Sequence, residues 1–199
     1  MNLEKVTEFL EVSNSKNINT VKEILSPSLC EIIKDLHREF APRRKELLID
    51  RRKRQSLYDQ GELPNYLEQN GPATQGNWKI ADIPKDLQVR RVEITGPVND
   101  PKMVINMLSR NKLGSRADTA MLDFEDSMKP EWRNVVNGIQ NVVGAAKGTL
   151  SYTNNESNKT YQLNENDMAG IMVRVRGLHL NENNIRVDGE SISGGLLDL

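Results

Sequence analysis

Apolar positions along this chain follow two rhythms. Up to about residue 87 they recur every three or four positions, the spacing of an amphipathic helix. Val6, Phe9 and Leu10, followed by the polar string Ser13-Asn-Ser-Lys-Asn17, predict a short helix and a loose connector. Ser26-Pro27 places a hydroxyl cap before a proline at the first helical position. Leu29, Ile32, Ile33, Leu36 and Phe40 then make one apolar stripe, and Pro42 is expected to break or restart the helix. Gly61 is a helix stop, and Pro64, Gly71, Pro72 and Gly76 mark an irregular connector. Trp78, Ile80, Ile83 and Leu87 are expected to anchor that connector to the next domain.

From Val89 onward short alternating runs take turns with helical stripes. Arg91-Val-Glu-Ile-Thr95 reads as a strand closed by Gly96-Pro97, and Asn99-Asp100-Pro101 caps a helix carrying Met103, Val104, Met107 and Leu108. Thr119 to Phe124 is a second strand, followed by a helix whose stripe is Trp132, Val135, Val136, Ile139, Val142 and Val143. Thr149 to Thr153 and Thr160 to Leu163 flank a polar turn and predict an inserted β-hairpin. Ile171 to His179 is the third strand, and Ile185-Arg-Val187 with Asp188-Gly189 begins a further hairpin. Strand-helix-strand-helix predicts parallel strands with right-handed crossovers. The expected division is a helical region over 1–87 and an α/β region over 88–199, with the β insertion at about 148–168.

Composition narrows the function classes. The chain has 199 residues, 37% hydrophobic and 28% charged, with net charge -1, so it has no global attraction to nucleic acid or membrane. A lone cysteine, Cys30, cannot form an internal disulfide, and no apolar run approaches a membrane span, which makes the cytoplasm the expected compartment. The stretch Arg43 to Arg54 is strongly basic, and a cationic helix can track phosphates. Glu46, Asp50, Asp59 and Glu62 neutralise part of that charge and no aromatic platform interleaves, which favours a solvated face.

The candidate chemistry lies in the third strand. Ile171, Val173 and Val175 alternate with Met172, Arg174 and Arg176, which places both arginines on one face. Two readings are open: an edge strand with arginines in water or on carboxylates, or an anion-binding site. In parallel βα architectures functional residues collect at the carboxyl ends of strands. Here those ends carry Gly96-Pro97, then Asp123-Phe-Glu-Asp126, then Arg174-Val-Arg176-Gly177. Such a rim can hold a carboxylate substrate on arginine, or form a structural salt bridge, and the two can coexist.

Arg90-Arg-Val-Glu-Ile-Thr-Gly-Pro97, Lys102-Met-Val-Ile-Asn106, Asp123-Phe-Glu-Asp-Ser127 and Arg174-Val-Arg-Gly-Leu-His179 closely resemble malate synthase of the A type. Gly61-Glu-Leu-Pro64 and Gly148-Thr-Leu-Ser-Tyr-Thr153 match the same family, and the resemblance runs from about Pro27 onward. A looser likeness to the citrate lyase beta-subunit group appears in the strand-Gly-Pro, Asp-x-Glu-Asp and Val-Arg-Val pieces. The resemblance implies an α/β fold: an N-terminal helical clasp, then the first strands of a TIM (β/α)8 barrel with a small β insertion. It implies condensation of acetyl-CoA with glyoxylate and water to malate and CoA, with Mg2+. Arg174 maps to the arginine that stabilises the enolate, with Arg176, Asp123, Glu125, Asp126 and Gly96 as orienting or substrate-binding groups. The family's aspartate base and its acidic Mg2+ ligands would lie beyond Leu199. Three strands against the eight of a barrel of about 250 residues, and the apolar ending Gly194 to Leu199, lead to the expectation of an N-terminal portion inactive alone. The rival expectations are a citrate-lyase-like acyl-CoA lyase and a non-catalytic binding module using Arg43 to Arg54.

Overall fold

The computed structural model describes residues 3–13, 18–66 and 69–199. In chain order its elements are β1 (Leu3–Lys5), β2 (Leu10–Ser13), α1 (Ile18–Ile24), α2 (Pro27–Asp59), α3 (Pro72–Gln75), β3 (Glu93–Pro97), α4 (Pro101–Leu108), β4 (Thr119–Asp123), α5 (Trp132–Ala146), β5 (Ser151–Asn154), β6 (Lys159–Gln162), β7 (Gly170–Arg174), β8 (Asn181–Val187), β9 (Glu190–Ser193) and α6 (Gly194–Asp198). Contacts divide the chain into one unit of residues 1–41 with 89–199, and a second of residues 42–88.

In the first unit, β3, β4 and β7 form a parallel sheet in that order. The crossovers are α4 and α5, as the βα rhythm predicts. Asp100 caps α4, its carboxylate accepting from the Met103 N–H at 3.0 Å with Pro101 in the first turn, a contact worth about 1 kcal/mol. The hairpin of β5 and β6 lies between α5 and β7 in sequence, pairing Ser151 with Gln162 and Asn154 with Lys159. The sheets are open, and none closes into a barrel.

An antiparallel sheet ordered β1-β2-β8-β9 completes this unit. Asp188 (φ 52°) and Gly189 (φ 80°) make the β8–β9 turn with both central residues left-handed, the backbone a two-residue hairpin needs. Two apolar clusters result. One gathers Val98, Val104, Leu108, Ala120, Leu122 and Phe124 beneath the parallel sheet. The other gathers Leu10, Val12, Val21, Cys30, Ile33, Ile185, Val187 and Ile192. The helix α5 serves both, sending Val136 into the second and Ala145 into the first.

The helix expected around Val6, Phe9 and Leu10 is instead a strand pair. Leu10 and Val12 are fully buried two residues apart and pair with Val187 and Ile185 across β8. That partner lies far along the sequence, and burial against it overrides the local helical spacing. For the same reason residues 1–41 pack in one unit with 89–199. Residues 14–17 of the expected connector lie outside the described residues.

Pro42 does not interrupt α2, which runs unbroken through it. The carbonyl deprived of its N–H partner belongs to Arg38, which is exposed, so water can satisfy it. The buried side chains of α2 are Cys30, Ile33 and His37, whereas Ile32 and Phe40 of the expected stripe are exposed.

The second unit begins with the later half of α2. Most of its basic residues are exposed, Arg44 being half-buried, and several are paired within the unit: Arg43 with Glu46 at 3.0 Å, Lys53 with Asp50 at 3.0 Å and Arg54 with Glu62 at 2.7 Å. Gly61 (φ 97°) ends the helix as expected. Trp78, Ile80 and Ile83 are more than half exposed.

Candidate active site

Register brings three strand ends to one line. Pro97 of β3 faces Asp123 of β4, which faces Arg174 of β7. Side chains at matching positions of a parallel ladder leave the sheet on one side, so Asp123 and Arg174 meet there. Arg174 Nε donates to Asp123 Oδ1 at 2.8 Å and Nη2 donates to Oδ2 at 2.6 Å. This is the two-pronged fork that a guanidinium makes with a carboxylate and an ammonium cannot.

Asp123 is fully buried, and its remaining acceptor capacity is used locally. Oδ1 accepts from the Glu125 N–H at 2.9 Å, and Oδ2 accepts from the Ser127 hydroxyl. Burial alone would push the Asp123 carboxyl up, but Arg174, Ser127 and the Glu125 N–H together hold it well below the usual carboxylate range. The fork onto Asp123, reinforced by Asp126 and Glu125, raises Arg174 further above its ordinary value, so it stays cationic.

The guanidinium is one-third exposed. Asp126 Oδ2 lies 3.0 Å from Nη2, and Glu125 Oε2 lies 3.7 Å from Nη1. Among the described residues Nη1 has no acceptor at hydrogen-bond distance, and it is the part of Arg174 left to bind something else. Next to it, Gly177 keeps open the gap between two side chains. A Cβ there would come within 2.6 Å of His179 Cε1 and 3.1 Å of Glu125 Oε1.

The strand ends are seated from beneath by α5. Asn141 Nδ2 donates to the Val98 carbonyl at 2.8 Å. Gly138 lets the helix approach so closely that a Cβ would lie 2.7 Å from both Phe124 Cε1 and Val98 Cγ1. Val98 follows Pro97, and Phe124 follows Asp123, so one helix fixes two of the three strand ends.

Of the residues singled out from the sequence, Asp123, Glu125, Asp126 and Arg174 therefore form one cluster. Gly96 and Arg176 do not join it. A Cβ on Gly96 would meet Met107 Sδ at 2.6 Å, so this glycine serves packing of α4 against β3. β7 ends at Arg174, and the strand alternation that would have kept the two arginines together ends with it. Arg176 is 3% exposed and turns to Glu182 and Asp198 instead. The sequence reading missed Ser127, which stands within the quoted Asp-Phe-Glu-Asp-Ser run, and Asp198, which gave no local signal.

Among the described residues no group of three or more His, Cys, Asp and Glu side chains is arranged to hold a metal ion. The oxygens of Asp123 are committed to Arg174, Ser127 and the Glu125 N–H. These residues do not fit the Mg2+ that the resemblance implies. No helix among the described residues is long and apolar enough to cross a membrane.

Comparison with known proteins points the same way as the motifs. The sequence profile of the malate synthase N-terminal domain matches residues 12–71. Malate synthase A of Escherichia coli (strain K12) is 44% identical over 177 residues, 89% of this chain and 32% of that protein. Malate synthase of Myxococcus xanthus is 46% identical over 176 residues, 88% of this chain and 31% of that protein. The glyoxysomal malate synthase of Zea mays is 39% identical over 175 residues, 88% of this chain and 30% of that protein. The chain thus spans about a third of the length of the curated relatives it matches. By its motifs and by these likenesses the chain is similar to the N-terminal portion of malate synthases.

Proposed function

We propose that this chain supplies the arginine-bearing wall of a site that condenses acetyl-CoA with glyoxylate and water to give malate and CoA. The observation that carries this reading is Arg174, forked onto buried Asp123 at a parallel strand end, with Nη1 free of any hydrogen bond among the described residues. Loss of a methyl proton from acetyl-CoA puts negative charge on the thioester oxygen. A cation already aligned before the reaction stabilises that charge without reorganising. Arg174 is such a cation: Asp123 holds it by Nε and Nη2, and its proton is not available for general acid–base work. The enolate carbon then attacks the glyoxylate aldehyde, forming the new carbon–carbon bond, and water cleaves the thioester to release CoA. The base that removes the methyl proton is not assigned to any residue of this chain.

On this reading β3, β4 and β7 are the first strands of a (β/α)8 barrel, whose carboxyl rim is where such sites are built. The cytoplasm is its expected compartment, although the maize relative carries "glyoxysomal" in its name. CoA release by the complete gene product, with acetyl-CoA and with or without glyoxylate and Mg2+, tests the proposal. Glyoxylate-dependent release is expected. Absence of that dependence overturns the reading, and cleavage of malyl- or citramalyl-CoA in its place supports an acyl-CoA lyase.

A further inference from the structure

Two residues past Arg174 the chain carries a buried ionic cluster that the proposed reaction does not use. The Arg176 and Glu182 side chains are 3% exposed and that of Asp198 is fully buried. Arg176 Nε donates to Asp198 Oδ2 at 2.9 Å, Nη2 to Asp198 Oδ1 at 2.8 Å and Nη1 to Glu182 Oε2 at 2.8 Å. The backbone N–H of Arg176 also donates to Asp198 Oδ2, at 2.9 Å. Glu182 is held in turn, its Oε1 accepting from Asn184 N–H and Nδ2 at 2.9 and 2.7 Å. The β8–β9 ladder is irregular between Glu182 and Arg186, a departure from regular pairing of the kind that re-aims a side chain.

The seat is shaped for this one arginine. A Cβ on Gly194 would come within 3.1 Å of the Arg176 Cζ and Nε, and one on Gly195 within 2.6 Å of the Arg176 carbonyl oxygen. Burying three charges costs more desolvation than mutual attraction reliably returns, so the return is in geometry rather than in net stability. The geometry fixed is that of the strand end. Arg174 O accepts from Phe124 N–H at 3.0 Å, the last bond from β4. Only Val175 separates that bond from the clamped N–H of Arg176. Among the described residues no strand pairs with the other edge of β7, and the Arg176 cluster fastens the chain just past the end of that strand.

We propose that Arg176, with Asp198 and Glu182, is a positioning device that holds the backbone of Arg174, and through it the guanidinium, in register with the reacting oxygen. This rests on the reading that Arg174 serves malate synthesis. Displacement of a catalytic group by an ångström costs up to about 100-fold in rate. The test uses Arg176→Lys and Asp198→Asn in the complete gene product, each alone and combined with Arg174→Lys. Expected is a fall in kcat of about 10- to 100-fold with little change in KM for glyoxylate. The loss should largely vanish in the Arg174→Lys background, because residues acting through one another are non-additive. Undiminished kcat, or equal losses in both backgrounds, overturns the proposal in favour of a role in folding alone. So does failure of both single variants to fold while Arg174→Lys folds. An unmutated protein with no glyoxylate-dependent activity overturns the reading of the site itself, a separate outcome from these.

Discussion

Arg174 and Arg176 stand one residue apart and are bonded to entirely different carboxylates. Arg174 lies at the open end of the parallel sheet, forked onto Asp123, with one nitrogen unbonded among the described residues. Arg176 lies sealed between Glu182 and Asp198, with every guanidinium nitrogen bonded. The first is placed to meet a further anion, and the second, 3% exposed, is shut off from one.

Arg174→Lys therefore removes the fork onto Asp123 together with the group offered to the substrate. In the complete gene product this should lower kcat by about 100-fold or more, with the far-ultraviolet circular dichroism unchanged. Steady-state CoA release checks it. A loss confined to KM would mean that Arg174 only binds substrate and does not stabilise the charge formed during reaction.

Asp123→Asn should show its effect in the acid range. The Asp123 carboxyl is depressed in the folded state, so its contribution is complete above the unfolded value near 4 and is lost as pH falls through the lower folded value. Urea midpoints measured between about pH 2 and 6 should show a wide gap between the unmutated protein and Asp123→Asn at the upper end. The gap should narrow below about pH 4. A gap independent of pH would mean that the fork does not govern the ionisation of Asp123.

Two buried glycines should differ sharply when replaced. Gly138→Ala forces a methyl against the Phe124 ring and Val98, and overpacking of this kind costs about 1–3 kcal/mol. Better helix propensity returns up to about 1 kcal/mol. Gly96→Ala meets the thioether of Met107, a flexible side chain that can move aside, and should be nearly neutral. Thermal unfolding ranks the two, and kcat/KM of Gly96→Ala is expected to stay near that of the unmutated protein. A large loss of kcat/KM at Gly96 would place it on the substrate after all.

The parallel strands, both crossover helices and the hairpins were legible in the sequence because each is announced locally. Asp100-Pro101 caps, Asp188-Gly189 turns and Gly61 stops a helix through chemistry confined to a few neighbouring residues. The cluster of Asp123, Glu125, Asp126 and Arg174 was legible for a similar reason, since parallel order puts the strand ends together. Period-two alternation failed at Arg176 because β7 stops at Arg174, and Asp198 owes its place to a helix twenty-two residues further on. The interior strand β2 escapes the local pattern because β8, which buries it, is distant in sequence. Pro42 was misjudged because an exposed helix tolerates an unpaired carbonyl that a buried one would not.

The pairing of Leu10 with Val187 has a consequence for how this protein is made. Strand β2 must wait for a partner synthesised roughly 175 residues later, and such long-range closure is the slow kind. At ribosomal rates of about 5–20 residues per second, that is an interval of about 10 to 35 s. Throughout it Leu10 and Val12, later sealed within the core, remain open to solvent and to other chains. The antiparallel sheet is thus assembled only once both ends of this stretch have been translated. Chaperone dependence of newly made protein should accordingly concentrate on the first dozen residues, far in sequence from the arginine site.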